Sequence, residues 1–367
     1  MKITIFGLTI SSSWANGHAT VYRAIIRALH RMGHQVHFFE KDVPYYSSRR
    51  DFEFPDYCRL TLYREWTQIR KGALQAAHES DVVVTASYLP EGQRISDEVL
   101  ELGRPLHVFY DLDTPITLNK MKEGGVEYLR RDQVPAFDLV LSFTGGKILH
   151  ELERDYGARM ARPLYGCIDP DVYARMEPTS EFTCDLSYMG TYAPDRQEKV
   201  DELFLEPARR HPERQFLLAG SMYPWQWQWP ENVRRIEHVS PGAHARFYSS
   251  SHITLNITRQ EMARNGWCPS GRFFEAAACG TPLISDWWEG LDSFFDVLRD
   301  VRVVASAGDV ENALNMSDTE LRTLAGHARQ RTLDEHTGEV RARQMLQYFE
   351  EARSTSLMKA ATNEVVR

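Results

Sequence analysis

Three observations predict an α/β fold in two units of similar size. The first is length: 367 residues exceed what a single hydrophobic core of ordinary size serves. The second is a repeated alternation of short apolar runs with helix-period segments in each half, the pattern of parallel strands covered on both faces by helices. The third is YGCIDPDVYARMEPTS, residues 165–180, where Pro170, Pro178 and a loss of periodicity mark a linker between the two series.

In the first half, Ile3–Gly7 is a predicted strand, Val21–Met32 a helix stopped by Gly33, and Val36–Phe39 a second strand. Asp81–Ala86, Leu106–Asp111 and Leu139–Thr144 continue the strands, with helices at Ile95–Leu102 and Lys147–Tyr156. Between Tyr45 and Trp66 the pattern breaks into an aromatic and arginine-rich stretch. After the linker, strands are expected at Leu186–Gly190, Phe216–Gly220, Arg235–Val239, Ile253–Ile257, Leu283–Asp286 and Val301–Ala305. Helices are expected at Arg196–Arg209, Pro241–Tyr248 and Leu291–Leu298, and the tail Asp318–Arg353 is helical by composition, with Ser354–Arg367 fraying.

Composition narrows the function classes. A net charge of -8 provides no broad footprint for nucleic acid, so no nucleic-acid partner is expected. Five scattered cysteines without metal-type spacing suit a reducing compartment and imply neither a disulfide framework nor zinc. The apolar start MKITIFGLTI gives way at once to polar SSSWANGH, and no later run approaches membrane-span length, so a cytoplasmic location without an integral membrane segment is the expectation.

Open parallel sheets bind ligands beyond the carboxyl ends of their strands. One such segment, PSGRFFEAAACGTPLISDWW at 269–288, holds Arg272 and Glu275 in a run otherwise small, aromatic and aliphatic. Three apart, they share a helix face; Ser270 is a helix-capping residue, Gly280 supplies a left-handed stop, and Pro282 forbids resumption. A helix start with free N–H groups, a guanidinium and a glycine suits phosphate, and a carboxylate one turn on accepts sugar hydroxyls. The other reading is an intrahelical ion pair on a solvated face, which contributes only about 0.2 to 0.5 kcal/mol and needs no apolar setting.

The run HVSPGAHARFYSSSHITLNITRQEMARNGWCPSGRFFEAAACGTPLISDWWEGLDSFF, from His238 to Phe295, resembles the donor-binding half of GT-B glycosyltransferases. Among them it is most similar to the branch named after the spore-maturation protein CgeB, with weaker similarity at YMGTYAPDRQ from Tyr188 and FYDLDTPITL from Phe109. The resemblance implies a GT-B fold, two Rossmann-like domains facing across a cleft: 1–168 on the acceptor side, 169–336 holding the donor, and a last helix within 337–367 crossing back to the first. It implies a metal-independent transfer of a hexosyl or related group, without a cofactor, from a UDP- or dTDP-linked sugar to an acceptor that is a small molecule, glycan or protein.

Carried over by position, Glu275 matches the carboxylate that accepts the donor ribose hydroxyls, and Ser270, Gly271 and Arg272 match the helix start under the diphosphate. Arg196, six residues past Gly190, falls where related enzymes place a basic residue on the diphosphate; a solvated helix-start arginine is the alternative. Arg259, after Asn256 and a buried strand, would neutralise the same group, since a guanidinium binds phosphate oxygens in pairs. His238, Ser240 and Pro241 match the loop over the base, and Gly17 joins the donor set from the first loop.

Many retaining relatives carry an acidic residue eight positions before the ribose-binding Glu, where this chain has Trp267, so inverting and retaining transfer both stay open. An inverting transferase needs a general base. His18 in WANGHAT stands where inverting relatives hold one, the alternative being a helix-start residue bonded to a loop. Asp111 and Asp113 are further candidates for the base or for holding the acceptor. Their DLD run also matches the metal triad of GT-A enzymes, a reading set aside because helix dipole and basic side chains replace the cation in GT-B. The stretch PYYSSRRDFEFPDYCRLTLYREW is either a surface insertion or an acceptor-binding segment, and Trp225, Trp227 and Trp229 in YPWQWQWPE either stack sugars or belong to a core or interface. Against a nicotinamide-dependent oxidoreductase, GLTISSSWANG lacks the G-x-G-x-x-G spacing. A nucleotide-sugar epimerase of the same fold and a donor-binding protein without turnover are the alternatives.

Overall fold

The computed structural model describes residues 1–14, 17–52, 55–224 and 226–365, with side chains through residue 355. The chain divides into two units, Met1–Tyr165 with Gly338–Arg367, and Gly166–Thr337.

The first unit runs β1 (Lys2–Gly7), α1 (His18–Arg31), β2 (Gln35–Lys41), α2 (Pro44–Ser47), β3 (Arg59–Tyr63), α3 (Trp66–His78), β4 (Val82–Ala86), α4 (Gly92–Leu100), β5 (Leu106–Asp111), α5 (Thr114–Glu123), β6 (Leu139–Ser142), α6 (Lys147–Arg154) and β7 (Ala161–Pro163). Its sheet has the order β3-β2-β1-β4-β5-β6-β7, all pairs parallel, with Ile3 opposite Val36 on one side and Val82 on the other. Parallel strands are covered on both faces, which is why VVVTA in β4 is buried throughout and shows no alternation. Helix α1 buries Val21, Tyr22, Ile25, Ile26 and Leu29, and Gly33 ends it at φ +83°. Phe6 stacks on Phe39 with Trp66 edge-on at 5.8 Å, the centre of this unit's core.

Strand β3 lies inside the stretch where periodicity fails. It is an edge strand with only Tyr63 fully buried, so one-sided exposure erased the pattern that sequence reading needs. Helices α3 and α5 were also not expected from the sequence.

The second unit runs β8 (Cys184–Met189), α7 (Pro194–Val200), α8 (Glu206–Arg210), β9 (Phe216–Ala219), β10 (Val233–Ile236), α9 (Pro241–Ser250), β11 (Ser251–Asn256), α10 (Gln260–Asn265), α11 (Gly271–Ala278), β12 (Leu283–Ser285), β13 (Arg302–Val303), α12 (Ala307–Leu314) and α13 (Asp318–Glu335). Its sheet order is β10-β9-β8-β11-β12-β13, again all parallel. The single helix expected over 196–209 is interrupted by a π-helical stretch, Asp201–Leu205. Pro207 lacks the N–H that would continue the ladder there, a physical reason for the change of winding. Leu291–Leu298 holds only the 3₁₀ turn Leu291–Ser293 rather than a helix, and the strand expected at Arg235–Val239 sits at Val233–Ile236.

The last helix, α14 (Gly338–Val365), belongs to the first unit and packs on α1. At Gly338 a Cβ would stand 2.4 Å from the carbonyl oxygen of Ala24, so the helix approaches α1 where only glycine fits. The backbone stays helical to Val365, where the sequence suggested fraying from Ser354. Among the described residues no helix is long and apolar enough to cross a membrane.

Both sheets wind outward from an internal strand pair, β1 with β4 and β8 with β11. Loops leaving such a pair diverge to opposite faces and leave a crevice at its carboxyl end.

Candidate functional site

In the second unit, that crevice is flanked by the segments after β8 and β11, which carry Arg196 in the first turn of α7 and Arg259 at the start of α10. Arg196 is 5% exposed, and its guanidinium donates to the Thr191 carbonyl. Burial first, and then the positive charges of Arg272 and Arg259, lower its pKa. Three guanidiniums therefore face one region. Arg259 has a carboxylate partner in Asp195 at 3.4 Å, whereas Nη1 of Arg272 is buried with no hydrogen-bond partner among the described residues. Such a donor costs free energy unless a ligand fills it.

Arg272 lies in the first turn of α11. Ser270 is the N-cap residue, at φ -67° and ψ 141°, but its side chain makes no capping hydrogen bond. The capping expected from the sequence is thus absent, and the first N–H groups of α11 have no side-chain acceptor from Ser270. Helix start and guanidinium together form an electropositive corner suited to a diphosphate. Nearby, Gly190 and Gly220 are required sterically: a Cβ on Gly220 would stand 2.0 Å from the Gly190 carbonyl oxygen, and one on Gly190 would stand 2.5 Å from the Tyr188 hydroxyl. Asn256 ends β11 fully buried, its Nδ2 reaching Ser285 Oγ at 3.1 Å, so it ties β11 to β12.

Glu275 is 8% exposed and is not paired with Arg272 in an ion pair. Its Oε1 accepts from the Tyr173 hydroxyl at 3.1 Å, its Oε2 from Tyr248 at 3.4 Å, and His244 Nδ1 lies 3.7 Å from Oε2. Sequence reading missed these three residues because Tyr173 is 102 positions from Glu275 and nothing local links them. His238 and Ser240 are exposed beyond the edge strand β10, and Pro241 begins α9.

In the first unit, the crevice lies beyond β1 and β4. Gly17 is the exposed N-cap of α1, and a Cβ there would meet nothing within 4 Å, so its own chain does not demand glycine. His18 follows; its Nε2 is 3.7 Å from Asp113 Oδ2, while Nδ1 is buried with no partner among the described residues. Tyr88, held at φ +63° in the loop after β4, stacks obliquely on His18 at 5.5 Å, and burial followed by the Asp113 charge raises its hydroxyl pKa. A non-glycine residue in the left-handed region is strained and is held there by its surroundings.

Asp111 and Asp113 have different environments. Asp111 is 2% exposed, its Oδ1 accepting from the Asp113 N–H and Thr117 Oγ1, both at 3.0 Å, and burial raises its pKa to about 7. A group whose folded pKa is raised stabilises the fold fully at pH below its unfolded value, and that stability is lost as pH rises through about 7. Asp111→Asn, which mimics the neutral acid, should therefore flatten the loss of stability between about pH 4 and pH 7, by a few kcal/mol, in denaturant titrations at stepped pH. An unchanged slope would show that Asp111 ionises normally. Asp113 is partly open, its side chain 28% exposed, and faces His18.

The loop bearing His18 is anchored from two sides. Glu40, next to last in β2 and 1% exposed, accepts from Thr9 Oγ1 and the N–H groups of Ile10 and Ser11. Thus the acidic residue near the end of β2 holds this loop. The aromatic and arginine-rich stretch supplies the second anchor: Asp51 and Phe52 donate backbone N–H groups to the Ser11 carbonyl, Asp51 binds Ser13 and Arg23, and the Arg49 guanidinium sits 3.5 Å over the Trp14 ring. Trp227 and Trp229 pack with Tyr192 and Tyr223 against the second core, the environment of a structural cluster; Trp225 lies outside the described residues. Among the described residues no group of three or more His, Cys, Asp or Glu side chains is placed to hold a metal.

Residues 196–347 match a family model described as glycosyl transferase-like. No curated protein matches the chain. Among solved structures, sucrose-phosphate synthase from Thermosynechococcus elongatus superimposes with a TM-score of 0.67 at 15% identity, covering 97% of this chain and 100% of that one. Anabaena HepE in complex with UDP and glucose gives 0.63 at 14%, covering 96% and 100%, and an alpha-glucosyltransferase in complex with UDP gives 0.69 at 10%, covering 95% and 100%. Identities this low convey architecture alone, and that architecture is the two-unit, parallel-sheet GT-B fold.

Proposed function

We propose that this chain, built on the GT-B fold and carrying a glycosyl transferase-like domain over residues 196–347, transfers a sugar from a nucleoside-diphosphate sugar to an acceptor hydroxyl. The observation that carries the reading is the cluster of Arg196, Arg259 and Arg272 beside the uncapped start of α11, with a buried guanidinium nitrogen that no atom of the described residues satisfies. The similarity from His238 to Phe295 supports the finer placement in the CgeB-like branch. HepE and the alpha-glucosyltransferase were solved with UDP, which supports a UDP-linked donor.

As the glycosidic bond to the diphosphate breaks, negative charge grows on the leaving oxygen and positive charge on the sugar. Arg272, Arg259 and the α11 start stabilise the first, so that fixed dipoles and guanidiniums serve in place of a cation. Glu275 accepts the ribose hydroxyls. On the acceptor side His18 takes the hydroxyl proton, and Asp113, 3.7 Å from its Nε2, stabilises the imidazolium that forms. Acceptor activation thus falls to the first unit and donor activation to the second.

A thermal-shift screen of nucleoside diphosphates and their sugars tests this reading. A ligand bound only by the folded chain at 100 times its Kd stabilises by about 2.7 kcal/mol, so UDP or its sugar should raise the melting temperature, and Glu275→Ala should abolish the rise. If no nucleotide moves the transition, the donor assignment fails; donor turnover without an acceptor would favour an epimerase.

A further inference from the structure

The three polar side chains around Glu275, Tyr173, Tyr248 and His244, carry more information than its placement, provided the donor reading holds. His244 Nε2 lies 3.0 Å from the Val239 carbonyl oxygen, which can only accept, so Nε2 carries a hydrogen, and in the tautomer bearing that hydrogen alone Nδ1 is an acceptor. The Tyr173 oxygen stands 3.2 Å from that Nδ1 and 3.1 Å from Glu275 Oε1. One hydroxyl proton therefore has two acceptors within reach. Tyr173 is 3% exposed and Tyr248 1% exposed, and burial followed by the Glu275 charge holds both hydroxyls well above the usual phenol range, so each keeps its proton. The remaining groups facing this network are Arg272 and Cys279 of α11, the latter a thiol pushed up to about 12 and hence neutral, and Met189 Sδ, 3.7 Å from the Tyr248 oxygen.

We infer that His244 is a positioning residue for ribose recognition: by accepting the Tyr173 hydroxyl's hydrogen bond at Nδ1 it opens a second acceptor site on Glu275 Oε1, so that this one oxygen can take both hydroxyls of a vicinal diol. Each carboxylate oxygen accepts about two hydrogen bonds, so with both tyrosines donating one site stays open on each oxygen, and Tyr173 holds the other site on Oε1. Turning Tyr173 toward His244 frees it at no cost to the tyrosine, which keeps a partner. The same imidazole fixes the Val239 carbonyl, next to the 238–241 loop, so the loop proposed to cover the base and the carboxylate proposed to hold the ribose share one anchor.

Isothermal titration of the full chain with UDP, 2′-deoxy-UDP and inorganic pyrophosphate tests the inference in His244→Leu and in His244→Asn, which keeps an acceptor oxygen near the Nδ1 position. The expected result is that His244→Leu weakens UDP about tenfold, the scale of one hydrogen bond to a charged group. Pyrophosphate affinity should not change, the preference for UDP over its deoxy analogue should shrink, and His244→Asn should restore most of it. In a Tyr173→Phe background, His244→Leu should have no further effect. Equal losses for UDP and 2′-deoxy-UDP, or unchanged UDP binding, would overturn the inference while leaving the donor site standing. Absence of UDP binding by the wild type would remove the donor reading and this inference with it.

Discussion

Arg272→Ala is expected to lower turnover at least a hundredfold while the chain folds as before. In the transition state the leaving diphosphate gains charge in a site where a preorganised guanidinium is already desolvated, and removing one such donor costs about 2 to 4 kcal/mol. Folding should survive because Nη1 of Arg272 contributes no hydrogen bond within the described chain. The melting temperature should even rise slightly, since Arg196 and Arg259 would lose a like charge facing them. Arg272→Lys should recover only part of the rate, because an ammonium cannot grip two phosphate oxygens in a plane. Steady-state turnover at saturating donor, alongside melting curves with and without UDP, measures all of this. A fully active Arg272→Ala would exclude the proposed role.

The second large effect is at His18. Removing a general base costs typically 10²- to 10⁴-fold, so His18→Ala should fall by about that much in transfer rate. UDP affinity should change little, because Arg259, Arg272 and Glu275, the charged groups proposed to bind it, belong to the other unit. Asp113→Asn should give an intermediate loss, since the carboxylate acts only through the imidazole 3.7 Å away. An unchanged transfer rate in His18→Ala would refute the assignment, and the alternative, that His18 merely packs at the start of α1, would then stand.

Much of the architecture was legible because buried parallel strands are short runs rich in apolar residues, unbroken in β9 and nearly so in β4, with a few polar residues in β1, β5, β8 and β11. Edge strand β3 was not, because half its side chains meet water, and the change to π winding at Asp201–Leu205 follows from a local ladder defect that periodicity does not register. At the candidate site, Arg272 and Glu275 were legible as charges out of place in apolar surroundings. Tyr173, in the irregular segment before β8, and Tyr248 and His244, on α9, were not, since a tyrosine or histidine looks like any core residue until its hydroxyl or ring nitrogen is seen to face a carboxylate. Glu40 carried a signal at the end of β2, but its hydrogen bonds to the loop after β1 run across about thirty positions of sequence.

By itself the sequence determined the two α/β series, the linker between them, and a charged helix start in an apolar frame, because each of these is written in residues close together along the chain. Strand order was decided by the tertiary structure alone: β1 lies beside β4 and β8 beside β11, leaving the two crevices where His18, Asp113 and Tyr88 gather in one unit and Arg196 and Arg259 in the other. The physical reason is that parallel pairing requires long crossovers, so which strand becomes a neighbour depends on how helices cover both faces of the sheet, and no local pattern of side chains records that choice.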